Sequence, residues 1–168
     1  MKLEKIEPQA LRGNPFEMIG RDWFLLTAGD KNGFNTMTAG WGYLGVLWGR
    51  PAAIVLVRPS RFTYGFMNGG DTFTISFFGQ GFRRELALCG SRSGRDVDKV
   101  KETGLTPVFA ECGAPYFEEA ETVLVCRRRF ERELTEADIP EEDRRKYFAD
   151  GDYHRIYFAE IIEAFERR

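Results

Sequence analysis

The sequence predicts a mainly β (α+β) fold: a closed or partly closed antiparallel barrel with short helical insertions. Three observations predict it. There are about six or seven strand-length runs bounded by turn residues, about three or four short helical stretches between them, and no regular βαβα alternation. Gly and Pro are spread along the 168 residues and no linker or low-complexity segment interrupts them. A chain of this length can bury a sizeable core, so residues 1–168 are expected to form one domain.

The elements follow in order. Trp23 to Ala28 is a short apolar run closed by Gly29-Asp30-Lys31-Asn32-Gly33, where Asn-Gly marks a tight turn. Phe34 to Gly42 and Tyr43 to Gly49 are rich in β formers but interrupted by glycines, which let another backbone or a ligand approach. Ala52 to Val57 is continuously apolar and reads as a strand buried on both faces. Tyr64 to Asn68 fits a short helix stopped by Gly69-Gly70, and Thr72 to Phe78 alternates as a strand.

Phe82, Leu86 and Cys89 share one helix face, with Gly90 as the stop. Ser93 and Asp96 imitate a capping box for a second, surface helix ending at Gly104. Thr122 to Cys126 reads as a strand that continues through Arg127-Arg128-Arg129-Phe130 at an exposed edge. Glu141, Glu142 and Asp143 precede Arg144, Arg145 and Lys146, the order that suits the dipole of a short helix. His154 to Phe165 is the last strand.

Composition narrows the chemistry. The 24 basic and 26 acidic residues leave a formal charge of −2, so no global field draws the chain to nucleic acid or to an anionic membrane. The longest strictly apolar run, Ala52 to Val57, falls far short of the roughly 20 residues that span a bilayer. Lys2, Glu4, Lys5 and Glu7 break up the amino terminus, which therefore lacks a signal-peptide pattern and points to the cytoplasm. Cys89, Cys112 and Cys126 are odd in number and widely spaced, which indicates neither a disulfide framework nor a metal site. With His154 the single histidine, most triad and metal chemistries drop out. A binding module remains, or an enzyme whose chemistry is carried by a bound cofactor, with no catalytic side chain required.

Three segments offer ligand chemistry. Asn35 to Gly42 combines Asn and Thr side chains with small residues and Trp41, a mix suited to a flat heteroaromatic ring. Arg58-Pro59-Ser60-Arg61-Phe62-Thr63 sets two guanidinium groups and two hydroxyls where the buried strand emerges, which suits a phosphate. Ser91-Arg92-Ser93-Gly94-Arg95-Asp96 is a second basic, hydroxyl-rich loop at an expected helix start, with Lys99 one turn further on. Read singly, each is also an ordinary strand, turn or cap, and neither a Walker loop nor a GxGxxG motif is present. His154, in a turn entering the last strand, reads first as a structural hydrogen-bonding residue and second as part of a site rim.

Taken together, NTMTAGWGYLGVLWGRP (Asn35 to Pro51), VRPSRFT (Val57 to Thr63), CGSRSGRDVDK (Cys89 to Lys99) and DGDYHRIYFAEI (Asp150 to Ile161) resemble the flavin reductase-like proteins, in particular the flavoredoxin type. The resemblance implies an antiparallel split β-barrel of Greek-key type that forms a homodimer and binds FMN near the subunit interface. It implies that Asn35, Thr36, Met37, Thr38, Ala39 and Trp41 line the isoalloxazine, with Thr36 and Thr38 or nearby backbone groups at its polar edge. Arg58, Ser60, Arg61 and Thr63 would approach the ribityl chain and phosphate, completed by Ser93, Arg95 and Lys99, with His154 at the rim. The implied activity is reduction of bound flavin by NADH or NADPH, with electrons passed to free flavin, iron or another acceptor. An electron carrier with a protein redox partner and a non-redox ligand-binding barrel are the alternatives.

Overall fold

The computed structural model describes residues 2–168. The strands are β1 (Leu3–Ile6), β2 (Phe24–Asp30), β3 (Gly33–Ala39), β4 (Gly42–Leu47), β5 (Arg50–Val57), β6 (Thr72–Phe77), β7 (Pro107–Phe109), β8 (Pro115–Phe117), β9 (Thr122–Glu133) and β10 (Arg155–Arg167). Among the described residues, four α-helices interrupt them: α1 (Phe62–Gly69), α2 (Arg83–Ser91), α3 (Lys99–Thr103) and α4 (Glu141–Tyr147). Every strand pairing is antiparallel.

The main sheet runs β3-β2-β6-β9-β10-β5-β4, with β1 added to β10. The chain from β5 to β6 crosses to the far side through α1 and returns beside β2, the long connection of a Greek key. Curvature comes from β10, whose register with β9 shifts between Phe158 and Ala159 and again between Ile161 and Glu163, since bulges bend and twist a ribbon. The sheet does not close. β3 and β4 are its two ends, joined only through Gly40 and Trp41, and an open seam lies between them.

Two apolar layers follow from strand alternation. Phe24, Leu26, Val55, Phe73, Leu124 and Tyr157 fill the inside of the curled sheet. Leu25, Val123 and Val125 face the other way, where α2 (Leu86, Cys89) and the β7–β8 hairpin (Phe117) cover them. Coverage on both sides explains why Thr122 to Cys126 are all buried, whereas the pattern loosens past Arg127. There β6 ends and β9 continues with β10 alone, as the exposed arginines predict.

Several sequence expectations need correction. Ala53, Val55 and Val57 are buried, but Ile54 and Leu56 are only half-buried, because their side of β5 lies at the seam. α2 runs through Gly90 to Ser91, so Gly90 does not stop it. No helix starts at Ser93: its Oγ accepts from the Arg95 amide at 3.2 Å, and α3 begins only at Lys99, capped by Asp98. Residues 93–97 instead make a single turn, in which the Asp96 and Val97 amides donate to the Ser93 carbonyl at 3.0 and 3.1 Å, and Gly94 packs so closely on β3 that a Cβ there would fall 2.1 Å from Asn35 Oδ1. β1 and the β7–β8 hairpin, whose strands are too short for a periodic signal, were not legible.

Gly40 and Gly42 do admit close neighbours, as the interrupted strands predict. A Cβ on Gly40 would meet Trp23 Cδ1 at 2.9 Å and one on Gly42 would meet the Ile54 carbonyl oxygen at 2.8 Å, so these glycines admit the chain's own groups. Trp23 follows a π-helical turn (Glu17–Asp22) and holds φ 66°, ψ 172°, a conformation costing about 1–3 kcal/mol outside glycine. The Arg83 guanidinium, 3.9 Å over its ring and bonded to the Asp22 carbonyl at 2.8 Å, helps hold it there.

The edge strand β3 is fastened from outside. Thr38 Oγ1 donates to the Leu86 carbonyl of α2, and Lys99 Nζ donates to the Thr36 and Cys89 carbonyls at 2.7 Å each. Lys99 is only 6% exposed, which places it beneath the surface rather than on it, and burial draws its pKa down. Lys99→Met keeps the length of the side chain but leaves two carbonyls unpaired, so it is expected to lower unfolding stability by about 1–3 kcal/mol. Urea denaturation checks this, and an unchanged midpoint would show that the clamp contributes nothing.

Candidate functional site

A cleft of about 440 Å³ opens where β3, the end of β5, the start of α1 and the 91–95 loop meet. A smaller recess of about 220 Å³ continues from it along the seam, sharing Met37, Arg58 and Arg61. The three segments that offer ligand chemistry in the sequence therefore converge, together with the turn that holds Asp150, Asp152 and His154.

The wide end is cationic. Arg58, Arg61, Arg92, Arg95 and Lys99 line it, against the acidic Asp150 and Asp152. Arg61 Nη1 donates to the Gly90 carbonyl at 2.9 Å and Arg95 Nη1 to the Ser60 carbonyl at 3.2 Å, while the Arg95 guanidinium lies 4.9 Å over the Phe62 ring. These anchors leave each guanidinium with further donors. Arg58 is more engaged: Nη2 donates to the Tyr147 carbonyl at 2.6 Å, Nη1 reaches Asp150 Oδ2 at 3.3 Å, and Phe148 lies 5.0 Å from the guanidinium carbon. Ser60 Oγ donates to Asp152 Oδ2.

The floor is polar but self-paired. Asn35 Nδ2 donates to Thr63 Oγ1 at 2.8 Å, and both residues are buried. That bond fixes the start of α1 to β3. Two of the three hydrogens of the Lys99 ammonium go to backbone carbonyls, and one remains for the cleft.

The narrow recess is less polar: Met37, Ala39, Trp41 and Leu56 contribute to its walls. His154 stands between Trp41 and Phe148, with ring centroids 5.5 and 5.4 Å away, and is 8% exposed. Its Nδ1 is buried without a partner. Burial, followed by the neighbouring Arg58 charge, pushes its pKa down to about 4, so the imidazole is neutral at physiological pH. Trp41 is 45% exposed and meets Tyr147 edge to face at 5.0 Å.

Of the expected residues, Asn35, Arg58, Ser60, Arg61, Thr63, Ser93, Arg95 and Lys99 line the cleft. Thr38, Ala39, Trp41 and His154 line the recess, and Met37 lines both. Thr36 stands apart. It points to the outer layer, where its Oγ1 and that of Thr27 are 2.8 Å apart, because alternation along β3 turns it away from Asn35 and Met37. The Thr38 hydroxyl is likewise committed to Leu86. Leu56, Phe62, Gly94, Asp150 and Asp152 were not singled out from the sequence, although the last four lie within segments that were. Among the described residues no group of His, Cys, Asp and Glu is arranged to hold a metal ion.

Comparison with solved structures shows the same fold. A flavoredoxin from Methanosarcina acetivorans is 24% identical over 98% of this chain and 76% of its own, with a TM-score of 0.69. An FMN-binding protein from Thermus thermophilus, solved with p-hydroxybenzaldehyde, is 19% identical over 98% of this chain and 82% of its own (TM-score 0.71). An NADH:FAD oxidoreductase from Streptomyces globisporus, solved with NAD and FAD fragments, is 20% identical over 87% of this chain and 74% of its own (TM-score 0.65). No curated protein sequence matches the chain. Residues 18–167 match the family model of the flavin reductase like domain, and the chain belongs to that family.

Proposed function

We propose that this chain is an FMN-dependent oxidoreductase that accepts hydride from NADH or NADPH and passes the electrons to free flavin, iron or another acceptor. The observation that carries the reading is the polarity of one continuous cavity. Five cationic side chains gather at its wide end, and beyond Arg58 and Arg61, which line both parts, lies a less polar recess walled by Met37, Ala39, Trp41 and Leu56 with a neutral histidine. FMN has the matching polarity, a phosphate of about two negative charges at one end and a flat, largely apolar ring at the other.

When bound, flavin supplies the redox chemistry. The chain's residues do the rest. Arg61, Arg95 and the remaining Lys99 hydrogen hold the phosphate, with Ser93 beside them. Met37, Trp41 and Leu56 exclude water from the ring, and the neutral His154 imidazole stands at its rim. The Asn35 to Thr63 bond keeps the floor rigid.

Exposed apolar side chains lie near the recess: Phe16 (87% exposed) and Tyr43 (67%) line a groove that shares Gly40, Trp41 and Leu56 with it, and Val46 (76%) and Trp48 (67%) lie further along the chain. Exposed large apolar side chains of this kind mark interaction surfaces, and two copies of the chain pairing there would cover them. The expected state is a homodimer. Sedimentation equilibrium should give twice the chain mass, shifted toward the monomer by Trp48→Arg; a monomeric wild-type chain would overturn the dimer.

A flavoredoxin-like carrier, reading electrons from a protein partner and not from nicotinamide, is the second reading, supported by the likeness to flavoredoxin structures. Anaerobic mixing of the FMN-loaded chain with NADH and with NADPH separates the two. The reductase reading expects rapid loss of the oxidised-flavin absorbance with one of them. Absorbance that persists with both contradicts it and leaves the carrier.

A further inference from the structure

Two of the cleft's phosphate-suited donors already hold an anion from the chain itself. Arg58 Nη1 meets Asp150 Oδ2 at 3.3 Å and Oδ1 at 3.4 Å, and Ser60 Oγ is bonded to Asp152 Oδ2. Arg61 and Arg95 differ, since their bonds go to backbone carbonyls and neither is tied to a carboxylate. Both aspartates belong to the stretch between α4 and β10, which the Tyr147 carbonyl also links to Arg58.

A carboxylate and a phosphate monoester compete for the same guanidinium and hydroxyl hydrogens, and they repel each other when both occupy one cleft. The Asp150 side chain is 64% exposed, so its ion pair with Arg58 is weak and readily exchanged. We infer that Asp150 and Asp152 are specificity-determining residues: they occupy Arg58 and Ser60 in the ligand-free chain, give way to the flavin phosphate, and hold affinity low enough for flavin to exchange. The inference rests on reading the cleft as a flavin site and deepens it.

The test uses the full chain with Asp150→Asn, Asp152→Asn and the double variant. Dissociation constants for FMN and for riboflavin are read from flavin fluorescence, and release rates from stopped-flow dilution. Each Asn retains a side-chain oxygen to accept from its donor but removes the charge. Each single variant is expected to bind FMN about threefold more tightly, and the double variant about tenfold, with slower release and unchanged riboflavin binding. FMN binding that is unchanged or weaker overturns the inference, because the aspartates would then be positioning Arg58 and Ser60. Equal tightening for both ligands overturns it too, since the effect would not pass through the phosphate. Asp150→Asn, at an exposed side chain, keeps the test open if Asp152→Asn fails to fold. A wild-type chain that takes up neither flavin overturns the underlying site reading, and this inference with it.

Discussion

The buried ammonium of Lys99 fixes the geometry on which the cleft depends. An edge strand has one row of backbone groups without a sheet partner, and β3 would be free to fray or to pair elsewhere. Lys99 takes the Thr36 carbonyl of that row and the Cys89 carbonyl of α2 together. Strand, helix and the 91–98 loop are thereby held in one arrangement. Leaving the sheet open between β3 and β4 sets the buried Met37 and the half-buried Leu56 at the walls of a seam, and the loop brings Arg92, Ser93 and Arg95 to one end of it. The split in the barrel is what makes room for a site.

Positive charge is concentrated toward one end of that seam, with Arg58 and Arg61 reaching the recess as well. Hydrogen bonds to backbone carbonyls aim Arg61 and Arg95, so their direction is preset before any anion arrives. At the other end His154 carries no charge at neutral pH, because burial among Trp41, Phe148 and the Arg58 guanidinium disfavours a second cation. The pattern suits a ligand with an anionic tail and an apolar head, and no protein acid or base is needed if that ligand carries the redox step. Chemistry and composition agree here, since a chain with one histidine has little else to offer.

Much of this was legible in the sequence, for identifiable reasons. The continuous run Ala52 to Val57 and the period of Phe82, Leu86 and Cys89 report burial directly, so β5 and α2 were accessible to pattern. The convergence of the Asn35, Arg58 and Ser93 segments was accessible only through the joint resemblance, since each alone is an ordinary strand, turn or cap. What escaped depends on tertiary contacts. Lys99 reads as a surface residue until two carbonyls are placed around it, and Thr36 reads as a ligand group until alternation turns it toward Thr27. Gly40 reads as an approach for a ligand until Trp23 fills the space. Asp150 and Asp152 read as turn formers, because their partners Arg58 and Ser60 lie about ninety positions away in the chain.

On the proposed reading, the cationic end of the seam holds the phosphate of a flavin. The most direct measurement compares FMN and riboflavin affinity in the wild-type chain and in Arg61→Ala, a residue with no carboxylate partner whose loss removes a phosphate donor. The account predicts that Arg61→Ala weakens FMN binding by about tenfold or more and leaves riboflavin binding nearly unchanged. Equal losses for the two ligands, or no loss for FMN, would contradict it.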